Sequence, residues 1–147
     1  MSGGNAGKFY QLHSRQSLSA LLIYFFMKNS HHCRALVISC IDFRFVTKIG
    51  EFLTAHGLCD NYDLVTVPGA SLGFSDIVKT ITTSINLHDP DEIYIFDHED
   101  CGAYGENNAD EAHSENLQRA KTALSNNYPN KKVTTYITGF NNIKRVG

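Results

Sequence analysis

The stretch Ala35-Leu-Val-Ile-Ser39 is five residues of almost unbroken apolar character. A strand with one wet face alternates apolar and polar residues, whereas a strand covered on both faces does not. Similar short runs follow at Asp63-Leu-Val-Thr-Val67, Glu92-Ile-Tyr-Ile-Phe96 and Lys132-Val-Thr-Thr-Tyr-Ile137. Between them the apolar residues return at helical spacing, first as Val46, Ile49, Phe52 and Leu53. Phe74, Ile77, Val78, Ile81 and Ile85 make a clearer second stripe. Residues 111–126 carry helix-forming residues with a thin apolar face of Leu117, Ala120 and Leu124, after a polar loop at 107–116. Strands alternating with helices predict an α/β fold. The expected form is an open, mostly parallel sheet of four to five strands flanked by helices.

A chain of 147 residues holds one domain with a substantial core. Residues 17–147 are read as that domain, and residues 1–16, rich in Gly, Ser and Asn at their start, as a flexible N-terminus. Ser17 is a plausible cap for a helix carrying Leu18, Leu21, Leu22, Phe25 and Phe26 on one face. That face either packs on its own domain or lies as an arm across a second subunit. The net charge of -2 gives no electrostatic reason to expect nucleic acid. The apolar run at 18–27 is about half of what a membrane span requires, and no secretory pattern precedes it. A cytoplasmic location without membrane contact is expected. There the four cysteines, at 33, 40, 59 and 101, are more often thiols or metal ligands than disulfides.

Open α/β sheets bind ligands beyond the carboxyl ends of their strands. The residues at those ends are Cys40-Ile-Asp42-Phe-Arg44, Pro68-Gly69-Ala70-Ser71 and His98-Glu-Asp-Cys101-Gly102. Zinc favours thiolate and imidazole, and three protein ligands with an open fourth position mark a catalytic site. Cys40, His98 and Cys101 supply such a set. Asp42, two residues from a ligand, can orient a reacting water, and Arg44 can hold it with a forked guanidinium. Each residue also has a plainer reading. Cys40 alone would be a buried thiol, and Asp42 with Arg44 a surface ion pair. Residues 68–70 would be a strand-to-helix turn with Ser71 as the helix cap. Cys33 and Cys59 have no comparable context and are read as structural.

The two motifs together resemble the zinc signatures of β-class carbonic anhydrases, and the similarity runs from about Arg34 to Phe140. The resemblance implies Zn2+ held by Cys40, His98 and Cys101, with Asp42 and Arg44 as the catalytic dyad. It implies that Asp42 accepts a hydrogen bond from zinc-bound water or hydroxide, or closes the fourth zinc position in a resting form. Gly69, Ala70 and Gly102 would line the substrate cleft. The implied activity is reversible hydration of carbon dioxide to bicarbonate by a zinc-bound hydroxide. The implied assembly is a homodimer or higher even oligomer.

Asp97 departs from that pattern, since the family usually has Gly before the ligand histidine. It is expected to hydrogen-bond outward, to support a ligand, or to crowd the metal. The loop at 68–71 differs from the common Asn-Ala-Gly form, and the absence of Trp gives no support to a Trp-built bicarbonate pocket. Little sequence follows the fourth strand. These departures keep two alternatives in play: a carbonyl sulfide or carbon disulfide hydrolase, and a zinc-binding homologue without rapid catalysis. The proton carrier is open among His31, His32, His56 and His88. A nucleotide-binding domain is disfavoured because no glycine-rich phosphate loop follows the first strand.

Overall fold

The structure is a computed structural model that describes residues 18–23 and 31–147. The chain divides into two units, residues 1–30 and 31–147. In the first, residues 18–23 are helical, and the rest of the expected N-terminal helix lies outside the described residues.

The second unit is an α/β sheet domain. Its strands are β1 (Ala35–Ser39), β2 (Tyr62–Thr66), β3 (Glu92–His98), β4 (Lys132–Thr138) and β5 (Ile143–Val146). Its helices are α1 (Val46–Ala55), α2 (Phe74–His88) and α3 (Asp110–Asn127). The sheet order is β2-β1-β3-β4-β5, with β5 antiparallel to β4 and the other neighbours parallel.

Strand alternation sorts the side chains into two cores. On one face Leu36, Ile38, Ile93 and Ile95 pack against Ile77 and Ile81 of α2 and Leu117 and Leu124 of α3. On the other, Val37, Tyr94 and Phe96 pack against Ile49 and Leu53 of α1. All five residues of β1 are buried, as a strand covered by helices on both faces requires.

β3 runs on to His98, two residues past the predicted strand, so the histidine is held by sheet hydrogen bonds rather than by a loop. β2 begins and ends one residue earlier than expected. β5 pairs as a short antiparallel edge, which periodicity did not locate in the sequence. The start of α2 corrects the expected cap. The helix begins at Phe74 with Gly73 as its N-cap and no side-chain cap bond, while Ser71 belongs to the preceding turn. Gly73 has no room for a side chain, because a Cβ there would stand 2.6 Å from Val67 Cγ2 and 2.8 Å from the Pro68 carbonyl oxygen.

Candidate metal centre

β1 and β3 are direct neighbours, with Ser39 opposite Phe96. Cys40, the next residue after β1, therefore arrives beside the end of β3. The chain then turns after His98 and returns Cys101, whose side of the turn is made by Asp100 at φ 53°. Cys40 Sγ, His98 and Cys101 Sγ place their ligand atoms within 4.8 Å of one another. The two sulfurs are 4.0 Å apart, close to the ~3.8 Å edge of a zinc tetrahedron with arms of about 2.3 Å.

The histidine is the decisive observation. Its Nδ1 donates to the Glu99 carbonyl at 2.8 Å, which leaves Nε2 as the lone-pair nitrogen. His98 is 2% exposed, and its Nε2 has no hydrogen-bond partner. Buried polar atoms are nearly always paired, so an aimed and unpaired ring nitrogen beside two thiols fits a metal ion. Phe45 stacks on the ring at 4.4 Å and fixes its plane. The Gly69 N–H donates to Cys40 Sγ at 3.3 Å, the kind of bond that steadies a thiolate. Burial pushes the Cys101 thiol up to about 11, with the nearby Cys40 adding to the effect. Two such sulfurs become thiolates together only when a cation offsets their charge. The other buried side-chain atom without a partner among the described residues, Thr138 Oγ1, belongs to the strand residue paired with His98.

Asp42 caps the turn Phe43–Phe45 and accepts the Arg44 backbone N–H at 3.0 Å. The Arg44 guanidinium grips the same carboxylate, Nε at 3.0 Å from Oδ1 and Nη2 at 2.7 Å from Oδ2. Its remaining donors go to Asp100, Nη1 to Oδ2 at 2.8 Å and Nη2 to the carbonyl at 2.9 Å. Arg44 thus ties one motif to the other, and it lies 5.5 Å over the Phe45 and Phe140 rings. The side-chain bonds from Arg44 lower the Asp42 carboxyl to about 2, so it is ionised at any physiological pH. Asp42 Oδ2 stands 3.9 Å from His98 Nε2.

Asp97 neither points outward nor faces the sulfurs. Alternation along β3 puts His98 on the α1 face and Asp97 on the α2–α3 face. There Asp97, 1% exposed, accepts the Ser71 N–H at 2.9 Å and the Ser71 hydroxyl at 2.7 Å. It also accepts Tyr104 OH at 2.8 Å and faces His113 Nδ1 at 2.9 Å. Burial, with the adjacent Asp97 charge, raises the Tyr104 phenol. The carboxylate thereby joins the end of β3 to the 68–71 turn, to the turn after Cys101 and to α3. Sequence reasoning missed Tyr104 and His113, since partners of one buried acid are scattered along the chain. Asp100 stood inside the quoted motif, but its clamp on Arg44 left no signal there.

A cavity of about 320 Å³ opens over the cluster, lined by Cys40, Asp42, Phe43, Pro68, Cys101 and Gly102. Gly69 and Ala70 are buried behind it, in a turn with positive φ at both residues, 76° and 45°. A second cavity, about 250 Å³, also borders Cys40 and has Ile41, Val46, Leu53 and Leu64 in its lining. Of the histidines considered as proton carriers, His88 is engaged by Asp63 at the other end of the sheet.

Comparison with known proteins agrees with this geometry. A family profile described as "Putative carbonic anhydrase" matches residues 30–146. Two proteins described only as uncharacterized, from Rickettsia bellii and Rickettsia conorii, are each 32% identical over 80% of this chain. Those matches cover 83% and 73% of the relatives. Among solved structures, one of two tetrameric beta-carbonic anhydrases from the filamentous ascomycete Sordaria macrospora superposes with a TM-score of 0.59. Its identity is 13%, over 94% of this chain and 95% of that one, so the likeness is one of fold.

Proposed function

This chain belongs to the carbonic anhydrase family whose profile it matches, and on that premise we propose that it is a zinc enzyme hydrating carbon dioxide reversibly to bicarbonate. The observation that carries the reading is the buried, unpaired Nε2 of His98 set between two thiols. Cys40, His98 and Cys101 hold the ion. Zinc in such a setting supplies the Lewis acidity that makes water nucleophilic near neutral pH.

The chain's own groups do the positioning. Asp42 is kept ionised by Arg44 and acts as the hydrogen-bond acceptor that orients the attacking water. Because Arg44 occupies both carboxylate oxygens, it favours Asp42 as an acceptor over Asp42 as a ligand. Asp100 anchors Arg44 from the second motif. Gly102 and Phe43 flank the mouth through which substrate enters. Asp97 acts at one remove, by holding the turns on either side of the ligands.

The apolar cavity beside Cys40 supports a second reading, hydrolysis of carbonyl sulfide or carbon disulfide, which are also small, weakly hydrated electrophiles. For assembly we propose a homodimer or higher even oligomer, in line with the tetrameric beta-carbonic anhydrase of similar fold. We place the protein in the cytoplasm, in keeping with four free cysteines among the described residues and with no described helix long and apolar enough to cross a membrane.

Stopped-flow carbon dioxide hydration, with zinc counted on the same sample, tests the reading. Fast turnover with one catalytic zinc per chain supports it. Full zinc with no turnover between about pH 7 and 9 turns the assignment to the sulfur substrates, and inactivity there too leaves a binding protein. Light scattering that finds a monomer at working concentration would remove the oligomer.

A further inference from the structure

A second cluster stands at the opposite edge of the sheet, where the strands begin. Cys33 precedes β1, Asp63 is the second residue of β2, and His88 is the last residue of α2. Their sulfur, carboxylate and imidazole atoms lie within 4.8 Å of one another. We propose that Cys33, Asp63 and His88 form a second metal site, for a borderline divalent cation such as Zn2+ or Co2+.

Each donor is held by a contact of its own. The Cys33 N–H donates to the His88 carbonyl at 3.1 Å, which binds the segment before β1 to the end of α2. Ser84 lies one turn before His88 and donates its hydroxyl to Asp63 Oδ2 at 2.6 Å. The same helical face thus presents a carboxylate clamp and a ligand together. His31 stacks on His88, with ring centroids 6.4 Å apart and planes within 8°. Asp63 is paired with Leu36 of β1 by sheet register, so the carboxylate cannot drift along the strand.

The charge pattern asks for a cation. The carbonyl end of α2 carries negative partial charge, and it adds to a carboxylate and a potential thiolate. One thiolate, one imidazole and one carboxylate suit zinc or cobalt, whereas calcium and magnesium prefer oxygen alone. His88 Nδ1 faces the two Asp63 oxygens at 2.9 and 2.8 Å, a gap spanned by a proton. A divalent cation takes that place as the Cys33 thiol releases its proton to solvent and the imidazole carries its proton on Nε2. His88 and Asp63 are 34% and 25% exposed, which gives the ion an entry path and a water for the fourth position.

Along β1, Cys33 and Cys40 are on the order of 20 Å apart, so the two sites fill independently. The test is titration of the metal-free full chain with Co2+, reading thiolate-to-cobalt absorption and the metal retained after dialysis. Two equivalents are expected for the wild type, two for the control Cys59→Ser, and one for Cys33→Ser and for His88→Ala. The proposal is overturned if the wild type and Cys33→Ser both retain one equivalent, if both retain two, or if the wild type retains none. One equivalent in the wild type and none in Cys33→Ser would keep this site and remove the other. If Cys33→Ser does not fold, His88→Ala takes its place in each of these comparisons.

Discussion

The two edges of the sheet carry the same small kit in different surroundings. At the carboxyl edge Asp97 faces His113 at 2.9 Å and accepts the Ser71 hydroxyl. At the amino edge Asp63 faces His88 at 2.8 Å and accepts the Ser84 hydroxyl. The side chains of the first pair are 0% and 2% exposed and those of the second 25% and 34%. Burial decides what each can do. A dry carboxylate that loses a partner leaves an uncompensated charge, so Asp97 is committed to one arrangement. A half-wet pair exchanges partners with water at little cost, so Asp63 and His88 can admit a cation. The cysteines follow the same division. Cys40 and Cys101 are buried beside a ring nitrogen that has no partner, while the thiol of Cys33 already donates to the Ala35 carbonyl.

Removing a ligand at the dry edge is expected to have the largest effect. Cys101→Ser should lose the catalytic zinc and all metal-dependent turnover, measured by mass spectrometry of bound metal and by stopped flow. If that variant keeps its full zinc and its rate, the carboxyl edge is not the catalytic centre and the contrast collapses.

Asp42→Asn comes next. The variant should retain zinc and lose about 10²- to 10⁴-fold in turnover, the range of a positioned proton acceptor. It should also alter acid stability. Arg44 holds the Asp42 carboxyl near 2 in the folded protein, against ~3.9 for a free aspartate. The stabilisation is therefore complete above about pH 4 and is lost as pH falls through about 2. Urea unfolding as a function of pH should show this acid limb weakened in Asp42→Asn, and unchanged curves would release Asp42 from the Arg44 clamp.

Asp97→Ala should cost about 3–5 kcal/mol of stability, because the Ser71, Tyr104 and His113 partners are left buried without it. Chemical denaturation of the metal-free protein measures this. A loss below ~1 kcal/mol would place Asp97 in the same class as an exposed pair and erase the distinction between the edges.

The sequence was most legible where a single run of residues carries the physics. Residues 35–39 read as a doubly covered strand and the spacing of Ile77, Ile81 and Ile85 as one helix face, and both elements form there. Parallel order put Cys40 and His98 at one edge of the sheet, and the pairing of β1 with β3 set them side by side. What stayed hidden depends on side chains meeting across the sheet. Asp97 was conspicuous as a residue type, but its direction follows from which face of β3 it occupies. Its partners Tyr104 and His113 come from separate elements with no shared spacing. Cys33 seemed structural for the same reason: Asp63 and His88 lie 30 and 55 positions along the chain. Ser71 looked like a helix cap until the buried acid claimed both its N–H and its hydroxyl.

The smallest expected effect is the most informative about the amino edge. In the presence of a chelator, His88→Gln should cost less than about 1 kcal/mol, as half-exposed ion pairs do. Zinc changes the expectation. An ion that binds only the folded chain adds about 2.7 kcal/mol at a hundred times its dissociation constant. The cluster of Cys40, His98 and Cys101 contributes equally to both proteins, so the difference between their zinc-induced gains isolates the second cluster. Urea midpoints with chelator and with zinc, taken for the wild type and His88→Gln, give that difference. A larger gain in the wild type means the wet pair exchanges its proton for metal, and equal gains mean Asp63 and His88 form nothing more than an ion pair at the end of a helix.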